Sequence, residues 1–155
     1  MKDGFPTSNA AAETMGAGVC VLVVDDDPTS LRSIERILKA RGFSVHTANS
    51  GQEALDELQK RERIDVLLLD VVMPGVSGLD VLKTIRATDT DVQVVMMTAF
   101  GDVDAAVTAV KGGAHDFLTK PFPSPDALAV SVIKAAEHCR LLARSRRLEQ
   151  ELAQH

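Results

Sequence analysis

Four short strand-like runs in this 155-residue chain each lead into side chains that can do chemistry, and the types are complementary. Asp25 and Asp26 follow the run 19–24, Asp70 follows 66–69, Thr98 follows 92–97, and Lys120 follows 115–119. Three carboxylates brought within a few ångströms repel one another by roughly 4 kcal/mol per pair at an effective dielectric near 20, so something cationic must accompany them. Lys120 offsets part of that charge. A shallow, all-oxygen donor set suits Mg²⁺, with Mn²⁺ as an alternative, because these ions keep bound water and accept phosphate oxygens. Asp25 and Asp26 are then candidate metal ligands, directly or through water. Beside such an ion the Asp70 carboxylate can act as a nucleophile toward phosphorus. The ion and Lys120 neutralise charge, and the Thr98 hydroxyl can donate to a phosphoryl oxygen. The set is complete for one reaction, transfer of a phosphoryl group onto Asp70 and its later removal by water.

The pattern between these residues says what must position them. Residues 19–24 are continuously apolar, as expected of a strand buried on both faces. Asp27 is placed to cap a helix that has Pro28 at its first position and Leu31, Ile34, Ile37 and Leu38 at helical spacing, with Gly42 closing it. Residues 43–48 alternate like a half-exposed edge strand, and Ser50-Gly51-Gln52-Glu53 reads as a capping box for a second helix. The cycle repeats three times, with strands at 66–69, 92–97 and 115–119 and helices at about 77–86, 102–111 and from 124 onward. The spacing predicts an α/β fold: a doubly wound, five-stranded parallel sheet of order 2-1-3-4-5, flavodoxin-like, with an extended C-terminal helix. Ligands of such sheets bind beyond the carboxyl ends of the strands, where the strand order reverses. Asp25, Asp26, Asp70, Thr98 and Lys120 all fall there. Residues 1–17, rich in Ala, Gly, Ser and Thr, read as a flexible lead-in, 18–136 as the domain, and 137–155 as a helical extension or linker able to form a coiled coil.

Composition bounds the function. With 45% hydrophobic residues the chain can bury a core, and its net charge of −5 excludes a nucleic-acid footprint spread over the fold. The first residues lack the apolar stretch of a secretory signal, and no segment approaches membrane-spanning length. Cys20 in a strand and Cys139 on a helix read as unpaired thiols, which points to the cytoplasm.

At this point the chain resembles the receiver domains of bacterial two-component response regulators. VLVVDDDP, LLLDVVMPGVSGLDVL, VVMMTAFGD and GGAHDFLTKPF match that family's landmarks in order and spacing over roughly residues 19–135. The resemblance implies that Asp70 is the phosphoacceptor and that Asp25 and Asp26 are the metal-binding acid pair. It further implies the Val72 carbonyl as a metal ligand, Thr98 and Phe117 as switch residues, Lys120 as the site lysine, and a cis Lys120-Pro121 bond. The phosphoryl donor would be a phosphohistidine on a sensor histidine kinase. The stretch from Met96 to Phe122 and the charged tail look most like receivers of AAA+ enhancer-binding, sigma-54-dependent transcription activators, whose AAA+ and DNA-binding domains would lie outside this chain.

Other residues have simpler explanations. Asp27 reads as a helix cap, and Asp65, Asp80 and Asp116 as boundary or solvated acids. His46, His115, His138 and His155 are scattered without ligand spacing, and Met73, Met96 and Met97 suit packing. A haloacid-dehalogenase-type phosphatase would need a second Asp where Val72 stands. A flavin-binding protein would need a Ser/Thr/Gly-rich phosphate loop where Asp25-Asp26-Asp27 would repel phosphate. A module that no longer takes phosphate is opposed by the presence of every acid, hydroxyl and lysine. Val72 and Phe100, flanking the path of attacking water, are apolar and cannot orient it, which predicts a long-lived phosphoryl group. On the tail, Leu128, Val132, Ala135, Cys139 and Leu142 form a stripe suited to helix pairing, which predicts a homodimer through the last helix.

Overall fold

The computed structural model describes residues 15–60, 63–88, 91–99 and 102–154; Phe100 lies outside them. Five strands alternate with five helices: β1 (Cys20–Val24), α1 (Pro28–Lys39), β2 (Ser44–Ala48), α2 (Gly51–Lys60), β3 (Val66–Asp70), α3 (Gly78–Ala87), β4 (Gln93–Ala99), α4 (Val103–Lys111), β5 (Asp116–Lys120) and α5 (Pro125–Ala153). All pairings are parallel and the order is β2-β1-β3-β4-β5, as the spacing predicted.

Strand side chains alternate between faces, and each face has its own core. Leu22, Val24, Leu67, Leu69, Val94 and Met96 pack under α2, α3 and α4, against Ala54, Val81, Leu82, Ile85 and Ala109. Val21, Val23, Val66, Leu68, Val95 and Met97 pack under α1 and α5, against Ile34, Leu38, Leu128, Val132 and Ala135. Each fully buried leucine or valine contributes on the order of 1.5–3 kcal/mol. The helix starts are fixed locally. Asp27 caps α1 by accepting from Thr29 N–H at 3.1 Å, and Ser77 with Asp80 forms a reciprocal capping box on α3. Asp102 and Ser124 cap α4 and α5. At α2, Ser50 Oγ accepts from Glu53 N–H at 3.1 Å, while Glu53 reaches back to the N–H of Asn49 rather than of Ser50.

Several details depart from the sequence reading. β5 is a second edge strand whose residues are all at least partly exposed, although the chemistry of Phe117-Leu118-Thr119 looks buried. Met15–Gly18 forms a turn in which Gly16 lies against the Phe43 ring, so the packed body begins before residue 18. The stripe predicted to pair helices is mostly core: Leu128, Val132, Ala135 and Cys139 are buried, because α5 covers the sheet along its first half. Asp65 is buried rather than solvated. It accepts from Cys20 N–H and pairs with Arg63 at 2.9 Å. Beyond the sheet α5 is tethered by Arg140, which donates to the Gly18 carbonyl at 2.9 Å, and by Arg146, paired with Asp91 at 2.9 Å. Neither Cys20 nor Cys139 forms a disulfide, and burial pushes the Cys139 thiol up to about 11. Among the described residues no helix is long and apolar enough to cross a membrane.

Candidate functional site

The carboxyl ends of β1, β3, β4 and β5 bring the predicted residues together. Asp25 and Asp26 follow β1 directly, whereas Asp70, Thr98 and Lys120 are the last or next-to-last residues of their strands rather than the residues after them. Ladder hydrogen bonds therefore fix their backbones. Register sets the lateral spacing: Asp70 pairs with Met97, Thr98 with Thr119, and Ala99 with Lys120.

Asp25, Asp26 and Asp70 each offer a carboxylate oxygen within 4.8 Å of the others. Lys120 Nζ donates to Asp25 Oδ2 and, at 3.3 Å each, to Asp70 Oδ2 and Ser30 Oγ. Asp25 is fully buried, and its Oδ1 accepts from Asp27 N–H at 3.0 Å. Asp70 Oδ1 accepts from Val72 N–H at 3.2 Å. Three acids against one ammonium leave a local excess of negative charge. The all-oxygen donor set fits a hard divalent cation, which would be held by Asp25, Asp26 and Asp70.

The electrostatics separate the two inner acids. Burial pushes the Asp25 carboxyl up, but the Lys120 ammonium, the Asp27 N–H and the Ser30 hydroxyl outweigh it and hold Asp25 below the usual carboxylate range. Asp70 goes the other way. Burial, with the Asp25 charge added to it, raises its pKa despite Lys120 and the Val72 N–H. Burial alone would lower Lys120, yet its two carboxylate neighbours raise it and keep it charged.

Thr98 is buried at the end of β4 and, with Ala106, Val107, Phe117 and Thr119, lines a depression of about 380 Å³ between α4 and β5. Phe117 is 39% exposed, so it is not a core residue. The Lys120-Pro121 bond is cis. Two participants were missed in the sequence. Ser30 looks like any polar residue in a first helical turn. Gly78 looks like a weak helix position, yet a Cβ there would lie 2.2 Å from the Asp70 carbonyl oxygen.

The comparisons with known proteins agree with this geometry. The sequence profile of the response regulator receiver domain matches residues 21–132. The C4-dicarboxylate transport transcriptional regulatory protein DctD of Pseudomonas aeruginosa is 40% identical over 134 residues, which is 86% of this chain and 29% of that protein. The DNA-binding transcriptional regulator NtrC of Klebsiella pneumoniae is 44% identical over 116 residues, 75% of this chain and 24% of that protein. The chain thus spans less than a third of the length of either regulator. Among solved structures, a response regulator receiver domain protein from Clostridium thermocellum superimposes with a TM-score of 0.75 at 34% identity, covering 80% of this chain and 98% of that one. With the receiver profile covering most of its length and the fold shared at this identity, the chain belongs to the response regulator receiver domain family.

Proposed function

We propose that the chain is a phosphoryl-accepting switch in which Asp70 takes a phosphoryl group from the phosphohistidine of a sensor histidine kinase and relays the change to a transcriptional output. The observation that carries this reading is the convergence of Asp70 with Asp25, Asp26 and Lys120 at one sheet edge. Asp25, Asp26, Asp70 and the Val72 carbonyl would hold Mg²⁺, or Mn²⁺, which would supply charge neutralisation. An Asp70 carboxylate oxygen forms the new bond to phosphorus as the phosphorus–nitrogen bond to the donor imidazole breaks, its electron pair leaving on nitrogen. Lys120 pairs with charge on the phosphoryl oxygens, and the Thr98 hydroxyl donates to one of them. Movement of Thr98 toward that oxygen opens space for Phe117, which then changes the α4–β5 face. Apart from this self-phosphorylation and slow hydrolysis the chain catalyses nothing.

The partners follow from the same reading: AAA+ and DNA-binding domains outside this chain, a cytoplasmic location, and no direct contact with membrane or nucleic acid. A second copy pairs through the last helix, on a face rotated from the buried stripe. Leu141, Leu148 and Leu152 are 63%, 48% and 75% exposed, and with Ser145 they recur at steps of four, three and four.

Incubation with acetyl phosphate and Mg²⁺ should add one acid-labile phosphoryl group per chain, detected by intact mass. Asp70→Asn should abolish it, and so should excess chelator. Undiminished labelling of Asp70→Asn would overturn the assignment of the acceptor.

A further inference from the structure

His115 and His138 are 23 positions apart and were read as isolated, yet the fold brings their rings to a centroid separation of 5.4 Å with planes tilted by 43°. They lie far from the acid cluster in the fold's logic, because His115 immediately precedes β5 while the cluster occupies the strands' carboxyl ends. Two imidazoles bound to one tetrahedral ion, with metal–nitrogen bonds of about 2.0–2.1 Å, place their centroids roughly 5 Å apart. The observed separation suits such chelation, and the tilt is not that of a parallel stack. His115 Nδ1 is screened from water and has no hydrogen-bond partner among the described residues, so its ring carries a buried nitrogen left unsatisfied there. Burial and the neighbouring His138 both lower the pKa of His115 and favour the neutral ring, which is the form that binds metal. Asp116 is the adjacent acid, but its oxygens already accept from Phe117 N–H at 2.8 Å and Ser131 Oγ at 3.3 Å. The donor set is therefore two nitrogens, which selects borderline transition metals over Mg²⁺.

We infer that His115 and His138 form a second metal site, taking a divalent transition ion of the zinc, nickel or copper class and tying the entrance of β5 to α5, with water completing the coordination. The tie joins the strand that carries Phe117 and Lys120 to the helix that leaves the domain. It does not depend on phosphorylation of Asp70.

The test uses the untagged chain in saturating Mg²⁺, so that the acid cluster is occupied, and titrates Zn²⁺ by calorimetry and thermal unfolding. One Zn²⁺ per chain should bind, and at about a hundred times its dissociation constant it should raise the melting midpoint by several degrees. His138→Ala, at an exposed position, should weaken binding at least about tenfold, as should His115→Ala, whereas His46→Ala should change nothing. Binding should fall as acid protonates the His115 ring, in a window below the usual imidazole range because burial and His138 lower its pKa. Because His115→Ala removes a partly buried ring, histidine side-chain NMR of the parent is the second arm: both rings should shift together at one equivalent. No binding in saturating Mg²⁺, binding unchanged in His138→Ala, or shifts confined to one ring would each overturn the site.

Discussion

The pKa of Asp70 is raised and that of Asp25 lowered, and this gives the two carboxyls opposite effects on stability as pH changes. Folded Asp70 keeps its proton to a higher pH than it does in the unfolded chain, so the folded state binds more protons between the ordinary and the raised value. Stability is lost as pH rises through that window. For Asp25 the stability is fully present above the ordinary carboxylate value and is lost as pH falls through its lowered one. In metal-free buffer at neutral pH, Asp70→Asn should therefore melt higher than the parent by calorimetry. The advantage should shrink as the pH is lowered through the Asp70 window, and saturating Mg²⁺ should narrow it by stabilising the parent. A variant that melts lower at neutral pH would show that the Lys120 contact outweighs burial. If Asp70 is phosphorylated as proposed, the lifetime of the group should rest on a neighbour. Val72 is 68% exposed beside Asp70 and has no polar atom in its side chain to hold water. Val72→Asn combined with Phe100→Glu should hasten hydrolysis about a hundredfold, followed by loss of the acid-labile mass, and an unchanged half-life would remove this explanation.

At the scale of elements, the junction between β3 and α3 controls where Asp70 sits. A Cβ on Gly78 would meet the Asp70 carbonyl oxygen at 2.2 Å and Val71 Cα at 2.8 Å, both backbone atoms that cannot swing aside. Gly78→Ala should cost about 1–3 kcal/mol in denaturant unfolding and slow labelling of Asp70, since α3 and Asp70 cannot both keep their places. Normal stability with normal labelling would mean that the loop yields freely. The strand order and the five chemical side chains were legible because apolar runs and caps are local signals, and a parallel sheet leaves few topologies. Gly78 was not legible, since its constraint comes from a backbone packed across a turn. The exposure of Phe117 was hidden for a related reason: an edge strand and a central strand can share the same letters. His115 and His138 meet only because α5 runs back along the whole sheet, and no spacing in the sequence encodes that length of packing.

For the whole molecule, α5 serves first as a wall of the core and then as a projecting rod held by two arginine tethers. Its buried residues end at Cys139, and from Arg140 on its side chains are almost all exposed. If Leu141, Leu148 and Leu152 pair with a second copy, Leu141→Glu with Leu148→Glu should convert a dimer to a monomer in light scattering while leaving Asp70 labelling intact. A parent that is already monomeric at high concentration would refute pairing through this face. The two tethers near the lower edge of the sheet, Arg140 to the Gly18 carbonyl and Arg146 to Asp91, give this rod a fulcrum. From the outer tether at Arg146 to Ala153 it extends about 10 Å at 1.5 Å per residue. A rocking of about 10° there would carry its tip through roughly 2 Å, well short of one helical turn. Releasing Arg146 from Asp91 would move the pivot back to Arg140, lengthen the arm to about 21 Å and double the swing. The Arg146–Asp91 pair is thus a stop that sets how far the tip can reach.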